Sequence, residues 1–466
     1  MDERTRTNER MDQRTDERTD EGVRADEGVR ADEGVGTDDG ARADDGARAT
    51  DPWHGRVVID PCMRDVHGQN ERLRAAGPLV PVELPGHVRA WAATRHDTLE
   101  TVLAHPALSK ELRYWADWAG GAVPADWPLN NIITAESMIT KEGGEHRRLR
   151  RMVSRAFTPR HIEELRPRVG EVAAELLDGL AGDAPGPVDL RLRYAYPLPR
   201  NVICELVGMP RAWHAELNKL TDALIRITDD ADYAASRMRT LRELFAEVIE
   251  LRRREPADDL TSALIAVRDD EGGRLSEAEL HDMVMTLFVA GHETTINLIT
   301  NAVRALLAHP GELAPLRDGT VPWSAAVEET LRWDSPVAYF PMRYVTRDAE
   351  IDGVRLRAGD AVVACYAAAG RDPGHYGERA TRFQVCDPPA AHLSFGHGEH
   401  FCLGAALARL EAEVALEALF EAFPDLAPDT SRGDPEPLGT PLSNSIRSLP
   451  VLLPEPRGRA GAGDRR

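Results

Sequence analysis

The sequence has few cysteines, and they lack the spacings at which cysteines usually pair or bind metal. Five cysteines are scattered over 466 residues, and no two of them form a Cys-x-x-Cys unit. This number and spacing argue against a disulfide framework and against a four-cysteine zinc site. Each cysteine therefore has to be interpreted by itself. The five are Cys62, Cys204, Cys365, Cys386 and Cys402.

Long apolar runs and an excess of positive charge are missing too. No run approaches the ~20 apolar residues that a membrane helix needs, and the acidic N-terminus differs from a secretory signal. We therefore expect no membrane partner and a cytoplasmic location. The chain carries 57 Lys and Arg against 78 Asp and Glu, a formal net charge of −21. That balance argues against nucleic acid as the main partner.

Residues 1–50 hold almost nothing hydrophobic that a fold could bury. They repeat a six-residue acidic unit, of which Ala-Asp-Glu-Gly-Val-Arg is one copy. Without buried apolar surface, nothing offsets the entropy that ordering would cost. We predict a disordered, acidic, low-complexity tail over residues 1–50. From residue 51 the composition becomes globular and no linker divides it, which predicts a single domain over residues 51–466.

Secondary-structure patterns favour helix over strand in the globular part. Apolar residues at helical spacing predict helices over residues 168–180 and 232–255. Short strand patterns lie at residues 87–93 and 343–366, and the second contains a turn signal at Asp352-Gly353. The expected fold class is therefore mainly α with a smaller β part (α+β).

The longest predicted helix carries a polar interruption. Ser276 and Glu279 form a capping-box pattern, and Pro310 ends a helix of ~33 residues, roughly 50 Å long. Its middle reads Ala-Gly-His-Glu-Thr-Thr over residues 290–295. The glycine weakens a helix, the glutamate needs a partner if it is buried, and Thr294 can donate to the carbonyl four residues earlier. Such a cluster indicates either a functional site or a kink with a surface-facing acid.

Two further segments contain charged residues on one helical face. Glu329 and Arg332 are three residues apart and can pair, although most pairs of this kind are surface salt bridges. Residues 143–160 contain six arginines as well as His146, which shares a face with Arg150. This segment is either a solvated basic face, or its arginines are divided between an inward anion and an outward acidic protein.

Cys402 follows a run of glycines, histidines and aromatic residues, and a predicted helix begins directly after it. Three interpretations compete: a buried structural thiol, one ligand of a zinc ion, or the thiolate ligand of a redox cofactor. His392, His397 and His400 could join it on zinc, but all four donors lie on one short loop without a second cluster.

The third interpretation explains more of the loop than the other two. Gly396, Gly398 and Gly404 indicate tight turns and a close approach to something large. A cysteine just before a helix N-terminus meets backbone N–H groups and a dipole that favour a thiolate. One known group held by a single cysteine thiolate is haem iron.

These motifs together resemble the bacterial cytochrome P-450 family. The pattern Phe395-Gly396-x-Gly398-x-His400-x-Cys402-x-Gly404 resembles its cysteine loop, and residues 290–295 resemble its oxygen-activating helix. Three further motifs of the family occur in the expected order along the chain. They are the His-x-x-x-Arg pair His146 and Arg150, the Glu-x-x-Arg pair Glu329 and Arg332, and an arginine before the β region, Arg343. One departure is Glu142-Gly143-Gly144, where relatives often have Asp-Pro-Pro; we expect it to affect the start of a helix and not a ligand.

The resemblance implies a triangular cytochrome P-450 fold with haem b between the long central helix and the helix after the cysteine loop. Cys402 would be the axial ligand of the haem iron, and Glu329 and Arg332 would hold the surrounding core. The other residues that the resemblance assigns to haem binding are His146, Arg150, Arg343, Phe395, His400 and Gly404.

The same resemblance implies that the enzyme is a monooxygenase. Ala290 and Gly291 would leave room for O2, and Glu293 and Thr294 would deliver protons. We expect hydroxylation or epoxidation of a mid-sized, partly aromatic or polycyclic molecule of secondary metabolism. The alternative reaction is oxidative C–C or C–N coupling of an aromatic or peptide-derived substrate. A haem protein without turnover is a further alternative, which the intact Glu293, Thr294 and Cys402 argue against.

Electrons would have to come from a separate protein, because the chain shows no flavin- or nicotinamide-binding fingerprint. We expect NAD(P)H, a ferredoxin reductase and an acidic ferredoxin to supply them. A basic surface is the natural dock for an acidic partner. The residues predicted to form this dock are Arg147, Arg148, Arg151 and Arg155.

Overall fold

The computed structural model describes residues 53–454, apart from residue 156 and residues 218–219, 221–230, 270–271 and 388–390. The predicted tail over residues 1–50 lies outside the described residues and stays a prediction. The single domain over residues 51–466 likewise stays a prediction.

Helices make up most of the regular structure in the described part of the chain. They are α1 Val66–Ala76, α2 His96–Ala104, α3 Ala116–Ala119, α4 Asn130–Ile133, α5 Gly143–Ser154, α6 Pro159–Glu164, α7 Arg166–Ala181, α8 Pro197–Leu206, α9 Ala231–Arg254, α10 Leu260–Ala266, α11 Glu277–Ala308, α12 Pro310–Arg317, α13 Trp323–Trp333, α14 Tyr366–Ala369, α15 Pro373–Tyr376 and α16 Ala405–Ala422. The helices predicted over residues 168–180 and 232–255 are confirmed as α7 and α9.

The strands form a smaller part of the fold. They are β1 Val57–Val58, β2 Leu79–Leu84, β3 Val88–Ala93, β4 Leu108–Ser109, β5 Gly186–Asp189, β6 Tyr339–Val345, β7 Ala349–Ile351, β8 Val354–Leu356, β9 Ala361–Cys365, β10 Ala427–Pro428 and β11 Pro450–Leu453. A six-stranded sheet has the order β1-β2-β3-β9-β6-β4, β10-β11-β5 form a second sheet, and β7-β8 form a hairpin. The predicted turn of that hairpin is confirmed, since Asp352 and Gly353 adopt φ angles of 48° and 77°, as a type I′ turn requires.

The long helix α11 begins and ends where its sequence signals lie. Ser276 is the N-cap and shares a complete capping box with Glu279, and Pro310 opens α12 after the helix has ended at Ala308. The helix is buried along much of its length, with Phe288 and Ile299 fully inaccessible. It therefore crosses the interior, as its apolar composition predicts.

Helix α16 packs in the same hydrophobic cluster as the second half of α11. Ala415 and Leu419 of α16 and Ile299 and Val303 of α11 are all fully buried members of this cluster. Gly404 is the N-cap of α16, so the helix starts three residues after Cys402. The core thus fixes the position of the cysteine loop relative to the middle of α11.

Candidate active site

The cysteine loop folds back on itself before α16 begins. The backbone N–H of Cys402 donates to the carbonyl of Phe395 at 2.8 Å, and that of Gly396 donates to Leu393 at 2.7 Å. Gly396 and Gly398 adopt φ angles of 77° and 75°, in the left-handed region that favours glycine. The tight turns predicted at Gly396 and Gly398 are confirmed, whereas Gly404 has an ordinary φ of −83°. The side chain of Cys402 is accessible from the cavity that it lines.

This cysteine faces the large cavity of the described structure. Protein atoms leave about 1450 Å³ free there, part of it open to solvent. The predicted site residues that line it are His146, Arg150, Ala290, Gly291, Thr294, Arg343, Phe395, Gly396, His400, Cys402 and Gly404.

The surroundings of Cys402 act on its thiol in opposite directions. Burial among neighbouring groups raises the pKa of Cys402, whereas the backbone N–H of Gly404 and the cations Arg150 and Arg409 lower it. Burial dominates, so the pKa lies above its usual value. The helix N-terminus expected to favour a thiolate is present, but by itself it does not ionise this thiol. A metal cation is the usual agent that does so.

Four predicted cations meet at one wall of the cavity. His146 and Arg150 lie on the same face of α5, Arg343 is contributed by β6, and the ring of His400 lies 4.3 Å from that of His146. His146 is 1% exposed and Arg343 is 6% exposed. Burial, together with the positive charges of His400 and Arg150, lowers the pKa of His146 to about 4.

Several donors in this cation cluster lack partners among the described residues. Both ring nitrogens of His146 and the Nε of Arg343 are buried without a hydrogen bond. Buried polar groups are nearly always hydrogen-bonded, so such a set indicates a ligand with acceptor groups. Two carboxylates, as haem b carries in its propionates, fit these donors. The cysteine and the cation cluster of one cavity therefore suit a haem.

Two cations near the cysteine loop were not identified from the sequence. Lys110 lines the cavity, and burial with the charge of Arg343 depresses its pKa well below the usual value. The guanidinium of Arg409 lies 4.5 Å from the ring centre of Phe395 and donates to Glu328 at 2.6 and 3.0 Å. Arg409 could have been identified from its spacing, because it lies seven residues after Cys402 on the following helix. No local pattern indicated Lys110.

The expected effect of Glu142-Gly143-Gly144 on the start of a helix is confirmed, since Glu142 is the N-cap and α5 begins at Gly143. In addition, the Glu142 carboxylate enters the cation cluster. Its Oε1 lies 3.2 Å from Nε2 of His400 and 3.9 Å from an Nη of Arg343. A contact between residues 258 positions apart depends on tertiary packing, which the local pattern did not reveal.

The middle of α11 lines the same cavity. The hydroxyl of Thr294 donates to the carbonyl of Ala290 at 2.8 Å, as the sequence predicts. A Cβ on Gly291 would lie 2.8 Å from Cδ1 of Ile203 in α8. The glycine therefore also allows close packing of α8 on α11, in addition to keeping side-chain atoms out of the cavity.

Glu293 is half-buried and does not line the cavity. Its Oε1 accepts a hydrogen bond from the hydroxyl of Ser443 at 2.7 Å. Ser443 belongs to the turn before β11 and is itself buried. Glu293 therefore has a partner inside the protein, which argues against the alternative that it is a surface-facing acid.

Glu329 and Arg332 form a fully buried pair and not the surface salt bridge that is common at this spacing. Two parallel hydrogen bonds of 2.8 and 2.6 Å join them. Arg332 also donates to the carbonyls of Gly370 and Arg382 at 3.0 and 2.7 Å, and Glu329 accepts from the backbone of Gln384 at 2.8 Å. The pair thereby ties α13 to the segment that leads to the cysteine loop.

The four arginines predicted to form a partner dock are not equivalent. Arg147, Arg151 and Arg155 are exposed, whereas Arg148 is partly buried and paired with Glu279. Arg147 lies 3.7 Å from the exposed Glu399. The charge of Arg148 is thus engaged in joining α5 to the start of α11, which leaves it less suited to a partner than its neighbours.

The histidines of the cysteine loop do not converge on a zinc site. His392 is within hydrogen-bonding distance of Glu328 at 3.2 Å, and His397 lies 3.8 Å from Glu100. In the described ranges, the one group of three metal-ligand side chains close enough to share an ion is His96, Asp97 and His375. Cys402 is not a member, so the geometry gives no support to zinc at this cysteine.

Comparison with known proteins identifies the family of this chain. The family profile of cytochrome P-450 matches residues 216–318 and 323–449. A relative from Streptomyces carzinostaticus, 2-hydroxy-5-methyl-1-naphthoate 7-hydroxylase, is 38% identical over 87% of this chain and 98% of its own. This chain belongs to the cytochrome P-450 family. The vitamin D(3) 25-hydroxylase of Pseudonocardia autotrophica is 41% identical over 78% of this P-450 and 87% of its own chain.

Solved structures bear out the predicted P-450 fold. Testosterone-bound CYP154C4 from a Streptomyces species superposes with a TM-score of 0.83 at 40% identity, over 86% of this P-450 and 99% of that chain. The chain is thus a cytochrome P-450 monooxygenase, which by family uses haem and O2, receives electrons from a redox partner and acts on a small molecule. Among the described helices, none is long and apolar enough to cross a membrane.

Proposed function

We propose that this P-450 hydroxylates or epoxidises a mid-sized, ring-containing molecule of secondary metabolism, and that Cys402 would hold the iron of haem b through its thiolate. The observation that carries the proposal is the presence of Cys402, the cation cluster and the middle of α11 around one cavity. A bound haem supplies the activation of O2 and the oxidation of a C–H or C=C bond.

The residues around Cys402 would hold the haem and protect its sulfur ligand. The N–H of Gly404 donates toward the Cys402 sulfur and moderates its negative charge. Phe395 covers the loop under the guanidinium of Arg409 and limits the access of water. His146, Arg150, Arg343 and His400 would bind the propionates, since buried carboxylates need cationic partners.

The polar residues of α11 would move protons to the reacting oxygen. Thr294 lines the cavity, and Glu293 lies one residue before it and accepts a hydrogen bond from Ser443. A carboxylate behind a hydroxyl can pass protons inward from a polar network. Thr294 would be the donor at the cavity, and Glu293 would recharge it.

The apolar residues of the cavity lining suit an apolar substrate with few polar groups. They include Ile139, Leu287, Val337 and Phe340, and Thr286 also lines the cavity. No acidic side chain occurs among the described lining residues. A naphthoate, vitamin D3 and testosterone, which the names of relatives mention, are ring-containing molecules of this kind.

Electrons would come from NAD(P)H through a reductase and a ferredoxin. Arg147, Arg151 and Arg155 present positive charge on one side of α5 and at its end. An acidic ferredoxin would associate there in a salt-dependent manner. The cytoplasmic location follows from the same proposal, because its electron donors reside there.

The first test is the absorbance spectrum of the reduced, carbon-monoxide-bound protein. We expect the strongly red-shifted Soret band of a thiolate ligand, and Cys402→Ser should abolish it. Cys386→Ser changes an exposed cysteine outside the cavity lining and should leave the band unchanged. A band typical of histidine-ligated haem in the wild-type protein would contradict the proposal.

The second test separates oxygen insertion from coupling. The enzyme would be supplied with a surrogate ferredoxin system, isotopically labelled O2 and a panel of ring-containing natural-product scaffolds. A product that carries the label supports hydroxylation or epoxidation. A coupled product without label would establish the alternative of C–C or C–N bond formation.

A further inference from the structure

Glu142 is the acid placed inside the cation cluster. Its carboxylate lies at ion-pair distance from His400 and Arg343, and its Oε1 accepts the backbone N–H of Lys110 at 2.8 Å. The side chain is 23% exposed. Burial alone would raise the pKa of Glu142, but His400 and Arg343 bring it below its usual value. The ionised carboxylate of Glu142 therefore neutralises part of the positive charge of His400 and Arg343.

The backbone at the start of α5 directs this side chain inward. Glu142 is the N-cap residue, yet its side chain makes no capping hydrogen bond with the helix. Gly143 follows with a φ of 58°, which proline, fixed near −65°, does not adopt. The Gly-Gly pair thus gives this chain a turn that an Asp-Pro-Pro sequence would not form. Glutamate also extends one methylene further than aspartate.

The other acid near the cluster is placed differently. Glu399 lies 3.9 Å from Nδ1 of His146, but its side chain is 55% exposed. Water screens an exposed charge much more strongly than a largely buried one. Glu142 is therefore the acid whose charge acts most directly on Arg343 and His400.

We propose that Glu142 is an internal carboxylate ligand of the cation cluster that competes with the haem propionates for Arg343 and His400. The proposal rests on the haem site of the proposed function. A propionate that binds these two residues shares them with a third carboxylate, and the repulsion between like charges weakens haem retention. The same negative charge also disfavours addition of an electron to the haem.

A purely structural role for Glu142 predicts the opposite change in haem retention when its charge is removed. If the carboxylate mainly held Arg343 and His400 in position, its removal would disorder the cations and weaken haem binding. Competition predicts instead that removal of the charge strengthens haem binding. The direction of the change therefore distinguishes the two roles.

The experiment measures the rate at which ferric protein loses haem to an excess of apomyoglobin. In Glu142→Gln the side-chain oxygen that accepts from Lys110 is kept and the charge is lost, so we expect haem loss about tenfold slower than in wild type, on the scale of one like-charge contact. Glu142→Asp keeps the charge on a shorter side chain and should fall between the two. Glu145→Gln, at an exposed position in the first turn of the same helix, should equal wild type.

A second readout is the midpoint potential of the haem, which should move to a more positive value in Glu142→Gln. Haem loss that is faster in Glu142→Gln, or equal to wild type, would overturn the proposal. If Glu142→Gln does not fold, the intermediate rate of Glu142→Asp decides the question. A wild-type protein without the thiolate spectrum would refute the proposed function itself, whereas a normal spectrum with unchanged haem loss would refute only the role of Glu142.

Discussion

Two groups of buried charges in this P-450, the Glu329–Arg332 pair and the cation cluster, differ in how many of their hydrogen-bonding atoms have a partner within the protein. Around Arg332, a carboxylate and three backbone carbonyls accept its hydrogen bonds, and a backbone N–H donates to Glu329. In the cation cluster, both nitrogens of His146 and the Nε of Arg343 find no acceptor among the described residues. The first group is complete within the chain, and the second is complete only with an added anion. Buried charge by itself therefore does not identify a ligand site, whereas unpartnered buried charge does.

The largest expected effect comes from breaking the complete group. Arg332→Ala leaves Glu329 as a buried charge without its partner, which should lower the free energy of unfolding by about 3–5 kcal/mol. Chemical denaturation followed by circular dichroism measures this loss. The double variant Glu329→Leu with Arg332→Leu removes both charges and should lose less than Arg332→Ala alone. Equal losses would mean that the charges are not the source of the effect.

The cation cluster should instead make stability depend on pH. The pKa of His146 is lowered to about 4 in the fold, against about 6.5 in an unfolded chain. Below pH ~6.5 the unfolded chain therefore binds a proton that the folded, haem-free protein does not. His146 should contribute roughly 1–3 kcal/mol to the loss of unfolding free energy of the haem-free protein between pH 6.5 and 4.

His146→Gln should flatten this pH dependence of unfolding, while His54→Gln, at an exposed position, should not. The haem-bound protein should show a weaker dependence, because nearby carboxylates favour protonated histidine. The same slope in His146→Gln and wild type would contradict the assignment.

A smaller effect should follow from Arg343→Met. This change in the cation cluster should not lower the free energy of unfolding, whereas Arg332→Ala in the complete group should lower it. A buried cation whose carboxylate neighbour, Glu142, lies 3.9 Å away without a hydrogen bond recovers little of its free energy of desolvation, so the removal of Arg343 should leave the haem-free protein at least as stable as wild type. Haem transfer to apomyoglobin should become about tenfold faster, since one propionate partner is lost. A loss of stability as large as that of Arg332→Ala would mean that the two groups do not differ.

Much of the architecture was predictable because its signals lie close together in the chain. The Ser276 capping box, the glycines of the cysteine loop and the Asp352-Gly353 turn each depend on backbone geometry within a few residues. The family also followed from short motifs in order. Helix α16 was predictable from its apolar periodicity.

The parts of the site that the sequence missed join residues far apart in the chain. Ser443 meets Glu293 across 150 positions, and Glu142 meets His400 across 258 positions. Such contacts depend on how helices pack, which no local pattern encodes. A Gly-Gly pair permitted the inward turn of Glu142 but did not specify its partner.

The sequence by itself determined the helices, the hairpin turn and the cysteine loop, because hydrogen bonds between near neighbours and apolar periodicity act locally. It also determined membership of the cytochrome P-450 family, because short motifs in a fixed order carry that information. Only the tertiary structure decided that Glu329 and Arg332 are buried, that Arg148 is held by Glu279 and that Glu142 stands among the cations. Burial and charge pairing depend on the whole surrounding of a side chain, and that surrounding exists only after the distant segments have packed together.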